Sequence, residues 1–119
     1  MIFCFNGSML KNIHRLRKSR EIQRVFQKGK QTRSQNFIIR YLPSRNQVSR
    51  FAFVVGTKVD KRATRRNALK RQMREVVRKN LEKVPAGFDI IIIGNKIPNW
   101  PIEQKKIVDE LGKLLLSLH

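Results

Sequence analysis

The chain has 119 residues and carries 27 Lys and Arg against 8 Asp and Glu, so its formal net charge is +19. That length suits one domain, and a hydrophobic content of 40% can build a small core, which argues against wholesale disorder. Because so much positive charge repels itself unless a polyanion binds, the composition disfavours a small-molecule enzyme with an enclosed apolar pocket. It favours a nucleic-acid-binding domain, with an anionic membrane surface as the weaker alternative.

The apolar start of the chain is too short to be a targeting segment. Four apolar residues follow Met1, whereas a secretory signal needs roughly 7–15 and a membrane span about 20. We interpret residues 1–8 as a disordered extension or an incorrectly assigned start, and residues 9–119 as a single domain. Cys4 is the single cysteine, so no intrachain disulfide can form. This is consistent with a reducing cytoplasm, where we expect the protein to be located.

The positive charge is concentrated in two segments. Residues 9–33 hold nine Lys and Arg with one acid, and residues 57–80 hold ten with two acids, whereas residues 81–119 hold five of each sign. A solvated protein face normally mixes both signs, so the first two thirds of the chain are expected to meet the polyanion. The first segment begins with a predicted basic arm that contains Lys11, His14, Arg15, Arg17 and Lys18.

A short amphipathic helix is predicted after this arm. Ser19 is a suitable N-cap and Gly29 a suitable residue past the C-terminal end. The residues between them place apolar side chains at i, i+3 and i+4, namely Ile22, Val25 and Phe26.

Three strands are predicted next. A short strand is plausible around residues 30–34, and residues 37–42 and 51–55 are rich in β-formers. The turn-rich loop 43–49 between the two longer strands predicts that they pair with each other in antiparallel fashion. The alternation within the first of them places Ile38 and Arg40 on one face, opposite Phe37, Ile39 and Tyr41.

A long basic helix is predicted between Val59 and Leu81. Its apolar stripe is formed by Leu69, Met73, Val76, Val77 and Leu81. A row of cations at every fourth residue is predicted to line the opposite face, namely Arg66, Lys70, Arg74 and Arg78. Arg62 extends this row toward the N-terminus, and Arg65 and Arg71 lie beside it.

This row of cations is unfavourable for the helix by itself. Like charges at i and i+4 repel, and cations in the first turn oppose the positive end of the helix dipole. Asp60, the predicted cap, offsets only part of this repulsion. Phosphate groups would relieve both penalties, since helix N-termini and guanidinium groups suit phosphate oxygens. The helix is therefore predicted to bind a phosphate-rich partner.

The remaining elements complete the predicted fold. Residues 88–94 form a buried-looking strand, and Asn99 with Pro101 begins a last helix. Its apolar stripe contains Ile107, Leu111, Leu114, Leu115 and Leu118. The order α-β-β-β-α-β-α predicts an α+β protein, an α/β sandwich with helices packed on a mixed sheet of about four strands.

No catalytic or metal-binding set is predicted within this chain. Cys4, His14 and His119 do not have the spacing of a zinc site. Metal-dependent nucleases need clustered carboxylates, and Asp109 with Glu110 is interpreted as a solvated helix face. His14 has no evident acid or base partner, so any chemistry is expected to come from another molecule.

Residues 58–75 resemble the signature of the bacterial ribonuclease P protein component. That family carries Arg-Asn-Arg, one residue, Lys-Arg, two residues, and Arg-Glu. In this chain the motif's second Arg is Ala68, and the neighbouring Arg65 is a candidate for part of its role. The resemblance extends over about residues 10–118, and the matching motif positions are Arg66, Asn67, Lys70, Arg71, Arg74 and Glu75.

The resemblance implies the small subunit of a ribonucleoprotein whose large RNA is the catalyst. The holoenzyme removes the 5′ leader from precursor tRNA, using Mg²⁺ held mainly by RNA. The implied fold is ribosomal protein S5 domain 2-like, with a left-handed βαβ crossover. The implied contacts with the catalytic RNA are Lys58, Lys61, Arg62, Arg65, Arg66, Asn67, Lys70, Arg71 and Arg74.

The resemblance also implies a cleft for the single-stranded leader of precursor tRNA. Its candidate residues are Ile22, Phe26, Ile38 and Arg40. Family members often have three aromatic residues in this cleft, whereas here only Phe26 is aromatic. Leader binding is therefore expected to depend more on charge, with Arg40 stacking on a base or gripping phosphate. Two alternatives stay open: a ribosomal protein of the same fold type and a DNA-binding architectural protein.

Overall fold

A computed structural model describes residues 14–44, 48–95 and 104–118. The elements are α1 (Ser19–Lys28), β1 (Lys30–Arg33), β2 (Phe37–Pro43), β3 (Arg50–Val55), α2 (Ala63–Asn80), β4 (Phe88–Gly94) and α3 (Gln104–Leu116). This order confirms the predicted α-β-β-β-α-β-α arrangement. The interpretation of residues 1–8 and the predicted roles of Lys11, Asn99 and Pro101 lie outside the described residues.

The four strands form one mixed sheet in the order β1-β2-β4-β3. β4 pairs antiparallel with β2 and parallel with β3, so the predicted pairing of β2 with β3 is wrong. The physical reason is the apolar run of β4. Ile90, Ile91 and Ile92 are all fully buried, and a strand that is buried on both faces takes a central position. Because α2 connects β3 to β4, these three elements form a βαβ unit.

Helices cover both faces of the sheet. The larger core lies between one face and helices α2 and α3, where the apolar stripes of both helices are buried as predicted. The smaller core on the other face joins Val25 of α1 to Ala52, Ile91 and Leu16. Within the described residues, no helix is long and apolar enough to cross a membrane.

Both predicted N-caps are displaced by one or two residues. α1 begins at Ser19 itself, and its N-cap is Lys18, whose side chain makes no capping hydrogen bond. The N-cap of α2 is Arg62. Asp60 lies two residues before this N-cap, and its Oδ1 accepts a hydrogen bond from the Arg62 backbone N–H at 2.8 Å. Asp60 thus stabilises the entry to α2 without being its cap.

The predicted basic arm is partly built into the sheet. The Leu16 N–H donates to the Phe51 carbonyl at 2.8 Å, and Arg15 forms a parallel bridge with Phe51. His14 Nδ1 lies 2.9 Å from the Ser49 carbonyl, to which it must donate. Residues 14–16 therefore cover the outer edge of β3, whereas Arg17 and Lys18 are exposed. The cause is Leu16, an apolar residue that needs burial.

Candidate nucleic-acid interface

The solvent face of α2 differs from the predicted row of cations. Asn67, Arg71 and Arg78 are exposed and share one side of the helix, and Lys70 is half-buried beside them. Arg74 is only 6% exposed, so its predicted place on an open face is wrong. Four residues turn an α-helix by about 400°, so Arg74 lies on the same side of α2 as Lys70 and Arg78, and its burial must come from another segment of the chain.

Arg74 instead lies close to the segment that covers β3. The pKa of Arg15 is lowered by burial and by the positive charges of Arg17 and Arg74. Both Arg15 and Arg74 are buried, so two like charges share one partly desolvated region. We therefore expect Arg74 to act mainly through packing, and Lys70 and Arg71 to contribute the accessible charge.

The loop before α2 is held by the arginines that follow it. Arg66 Nη1 donates to the carbonyls of Asp60 and Lys61 at 3.0 and 2.9 Å. Arg65, the candidate for part of the role of the motif's second Arg, is half-buried and lies 3.7 Å from the Asp60 carboxylate. These contacts fold the loop onto α2 and leave an exposed set of cations at its surface, namely Lys58, Lys61 and Arg62. We call Lys58, Lys61, Arg62, Asn67, Lys70 and Arg71 the basic face.

Glu75 compensates the charge at the far end of α2. Its carboxylate accepts a hydrogen bond from Arg78 Nη2 at 2.6 Å and lies 3.9 Å from Lys79 Nζ. The hydrogen bond from Arg78 is the main reason that the pKa of Glu75 is lowered. The strongly positive part of the helix is therefore its N-terminal half.

A second surface lies on the sheet face that carries α1. The register places Ile38 beside Ile93, and Ile93 beside Val54, with Arg33 next to Ile38 at the sheet edge. Val54 is 37% exposed, while Ile38 and Ile93 are half-buried. We call Ile38, Ile93 and Val54 the apolar strip. It crosses three adjacent strands in one row.

Phe26 adds an aromatic ring on the same side of the sheet. Its side chain is 40% exposed on α1, whereas Ile22 packs against the smaller core. The prediction that Ile38 faces away from Phe37, Ile39 and Tyr41 is confirmed, because those three side chains are buried on the opposite face. Sequence reasoning missed Ile93 and Val54, since their place in the strip depends on β4 lying between β2 and β3.

Arg40, a candidate residue of the leader cleft, makes hydrogen bonds within the fold. Its Nη2 donates to the backbone carbonyls of Phe26 and Gly29, and its Nη1 donates to Gln31 Oε1 at 3.0 Å. The guanidinium thus lies at the C-terminal end of α1, where carbonyls lack helical partners and the dipole favours a cation. Gly29 allows the end of α1 to lie close to β2, because a Cβ there would lie 2.4 Å from the Val25 carbonyl oxygen and 2.9 Å from the Tyr41 carbonyl oxygen. Arg40 holds the last turn of α1, and with it Phe26.

Replacing Arg40 with Gln is expected to loosen the C-terminal turn of α1. A hydrogen bond to a charged group contributes about 1.5–3 kcal/mol when buried, and partial exposure here reduces the expected loss of stability to about 1 kcal/mol. Amide hydrogen exchange at Gly29, whose N–H donates to the Val25 carbonyl at 2.8 Å, should become faster. Arg33→Gln, on the neighbouring strand, is the control. Equal exchange at Gly29 in wild type and Arg40→Gln would contradict this role.

Most acidic residues of the described chain are engaged in structural contacts, whereas Glu82 and Asp109 are exposed. Arg50 makes paired hydrogen bonds to Asp89, both at 2.9 Å, and binds Glu21 at 2.6 Å. Glu110 was predicted to lie on a solvated face, but it is half-buried and accepts hydrogen bonds from Ser34 and Asn36. Burial raises the pKa of Glu110, and these hydrogen bonds outweigh it, so the pKa is lowered.

These contacts leave few carboxylates for metal chemistry. Among the described residues, no three or more His, Cys, Asp and Glu side chains lie close enough together to hold a metal ion.

Known proteins share both the sequence and the fold of this chain. A family profile described as Ribonuclease P matches residues 10–119. The ribonuclease P protein component of Thermotoga maritima is 40% identical over 99 residues, covering 76% of this chain and 84% of that protein. The corresponding protein of Petrotoga mobilis is 37% identical over 115 residues, covering 94% and 97%.

A solved structure supports the same relationship. The RNase P protein from Thermotoga maritima, in complex with 1-(4-fluorophenyl)-2-thiourea, aligns with a TM-score of 0.82 at 32% identity. The alignment covers 88% of this chain and 100% of the Thermotoga maritima chain. With the family profile matching almost the whole sequence and the fold in agreement, this chain belongs to the ribonuclease P protein component family.

Proposed function

We propose that the basic face binds the catalytic RNA of ribonuclease P, and that the apolar strip with Phe26 receives the single-stranded 5′ leader of precursor tRNA. Family membership makes the chain a protein subunit of the enzyme that matures the 5′ end of tRNA. The division of the two RNAs between two surfaces is supported by their chemistry. Cations and an amide suit phosphate and ribose oxygens, whereas an exposed aromatic ring beside apolar side chains suits unstacked bases.

One observation carries this proposal: the two surfaces meet at the same end of the sheet. Val54 of the apolar strip is the penultimate residue of β3, and the chain continues from there into the loop with Lys58, Lys61 and Arg62. A leader lying on the strip would thus be held next to an RNA bound by that loop. Fixing substrate and catalyst on one small scaffold lowers the entropic barrier to their reaction.

The chain is proposed to assist the reaction without taking part in bond cleavage. The RNA partner supplies the catalytic groups and holds the Mg²⁺ ions of the reaction. The accessible cations of the basic face would screen repulsion between two RNAs that must approach each other. The protein is therefore expected to lower the magnesium concentration that the reaction requires. We also propose a cytoplasmic location, consistent with the single cysteine.

Salt dependence of RNA binding tests the proposed basic face. Lys70→Ala and Arg71→Ala should each reduce the slope of log K against log salt concentration by roughly 0.7–0.9, the value for one lost phosphate contact. Arg74→Ala should instead lower the free energy of unfolding, because its side chain is buried. Lys113→Ala, an exposed change on α3, is the charge-matched control. Unchanged slopes for Lys70→Ala and Arg71→Ala would place the RNA elsewhere.

A further inference from the structure

A second set of cations lies on the outward face of α1. Arg20, Arg24 and Lys28 recur at i, i+4 and i+8, and all three are exposed. Gln23 and Gln27 are exposed beside them. We call these three cations the α1 row. Neither the basic face nor the apolar strip includes any of them.

The acid of α1 compensates this row only in part: the positive charge of Arg24 contributes to the lowered pKa of Glu21, but less than Arg50 does. Glu21 turns toward Arg50, whose Nη2 lies 2.6 Å from its carboxylate. The hydrogen bond from Arg50 is the main cause of the lowered pKa of Glu21. The carboxylate is therefore used in the contact between α1 and the sheet, and the outward face carries cations and amides.

The α1 row is unfavourable for the helix that carries it. α1 has ten residues, and its N-cap Lys18 makes no capping hydrogen bond through its side chain. Lys18 and Arg20 place positive charge at the positive end of the helix dipole, and the i, i+4 pairs in the row repel each other. A bound polyanion would remove these penalties, so the row has the character of a binding surface.

The chemistry of the face specifies the kind of polyanion. Successive cations are about 6 Å apart along the axis, since each residue rises 1.5 Å. The exposed side chains of the row and its two Gln neighbours present hydrogen-bond donors that suit phosphate and ribose oxygens. Phe26, the aromatic residue of α1, belongs with the apolar strip and does not join this row. A surface that grips backbone oxygens without stacking on bases suits double-stranded RNA, which proteins recognise mainly by shape and backbone.

The α1 row cannot share one duplex with the basic face. α1 and α2 lie on opposite faces of the sheet, and the molecule is 25 Å across its shortest dimension. A rigid RNA helix that lies against α2 would leave α1 uncovered. We propose that the α1 row binds the sugar-phosphate backbone of a second RNA duplex, so that the protein bridges two separate helical segments. This inference does not depend on which RNA the basic face binds.

The number of duplexes that one protein molecule holds tests this proposal. The probe is a blunt RNA duplex of about 16 base pairs. It is mixed in excess with the full-length chain at about 0.15 M salt. Analytical ultracentrifugation measures how many duplexes each protein molecule binds. Wild type is expected to hold two duplexes. The triple variant Arg20→Gln, Arg24→Gln, Lys28→Gln should hold one, and its salt slope should fall by about 2–3 for three lost contacts.

Two further variants separate binding from general effects of charge and folding. A control triple variant removes the same amount of charge from other exposed positions, namely Lys83→Gln, Lys105→Gln and Lys113→Gln. This variant should still hold two duplexes. Arg20→Lys, Arg24→Lys keeps the charge and should also hold two. Loss of the second duplex in either variant would attribute the effect to net charge or helix fraying and overturn the proposal.

Other outcomes would overturn it as well. These are a wild type that holds one duplex, an α1 triple variant that still holds two, and an α1 triple variant that loses only binding to anionic lipid vesicles. The last result would assign the row to a membrane surface. Leader removal is not measured in this experiment, so failure here would leave the proposed function untouched.

Discussion

Arg50→Met is expected to lower the free energy of unfolding by about 3 kcal/mol, because removing one partner of a buried ion pair leaves the other charge uncompensated. Arg50 lies on β3, and its guanidinium joins Asp89 of the central strand to Glu21 of α1. The variant would leave two neighbouring carboxylates without their shared cation. Urea unfolding followed by circular dichroism measures the loss, and Arg33→Met, at an exposed edge position, is the control.

The same variant has a defined pH dependence. The pKa of Glu21 in the folded protein is below its ordinary value of 4.5. A carboxyl with a lowered pKa stabilises the fold above its unfolded-state pKa, and this contribution is lost as pH falls through the folded-state value. The difference in stability between wild type and Arg50→Met should therefore narrow as the pH is lowered below 4.5. A difference that stays constant down to pH values near 2 would show that Glu21 does not contribute.

Phe26→Ala is expected to weaken binding of precursor tRNA by roughly tenfold, since base–aromatic stacking contributes about 1–3 kcal/mol per base. The effect should appear only with substrates that carry a leader, because the ring lies beside the apolar strip proposed to hold it. The measurement compares the affinity of the holoenzyme for precursor tRNA and for mature tRNA without a leader.

An exposed apolar residue on another element provides the matched control for Phe26. Leu116 on α3 is 48% exposed, against 40% for Phe26, and Leu116→Ala should leave both affinities unchanged. If Phe26→Ala weakened the binding of precursor tRNA and of mature tRNA equally, the ring would be acting through the fold and not through contact with the leader.

Much of the fold follows from hydrophobic periodicity, but strand order does not. The stripes of α2 and α3 and the alternation in β2 depend on local spacing, and the structure confirms them. The position of β4 depends on contacts between residues far apart in sequence. The loop before β3 has turn-forming residues, which suggested a hairpin with β2. The run Ile90–Ile92 is the opposing signal, because consecutive apolar residues are buried on both faces of a strand, and such a strand belongs at the centre of a sheet.

The candidate site was predictable in residue type more than in residue role. Lys70 and Arg71 lie where the helical pattern placed them, accessible on α2. Arg74 is buried, because its surroundings include residues 14–16, whose packing against β3 no helical wheel contains. The pattern predicts Arg40 as a leader contact but gives no sign of its hydrogen bonds to the end of α1. Such contacts arise from tertiary packing and have no signature in local sequence.

The central claim is that this chain works as the protein subunit of an RNA enzyme that matures tRNA. Reconstitution tests it most directly: the protein is added to a cognate catalytic RNA at low magnesium concentration, and removal of the 5′ leader from precursor tRNA is measured. We predict that the protein accelerates leader removal and that the RNA alone needs more magnesium to reach the same rate. Equal rates with and without the protein, at every magnesium concentration, would contradict this account.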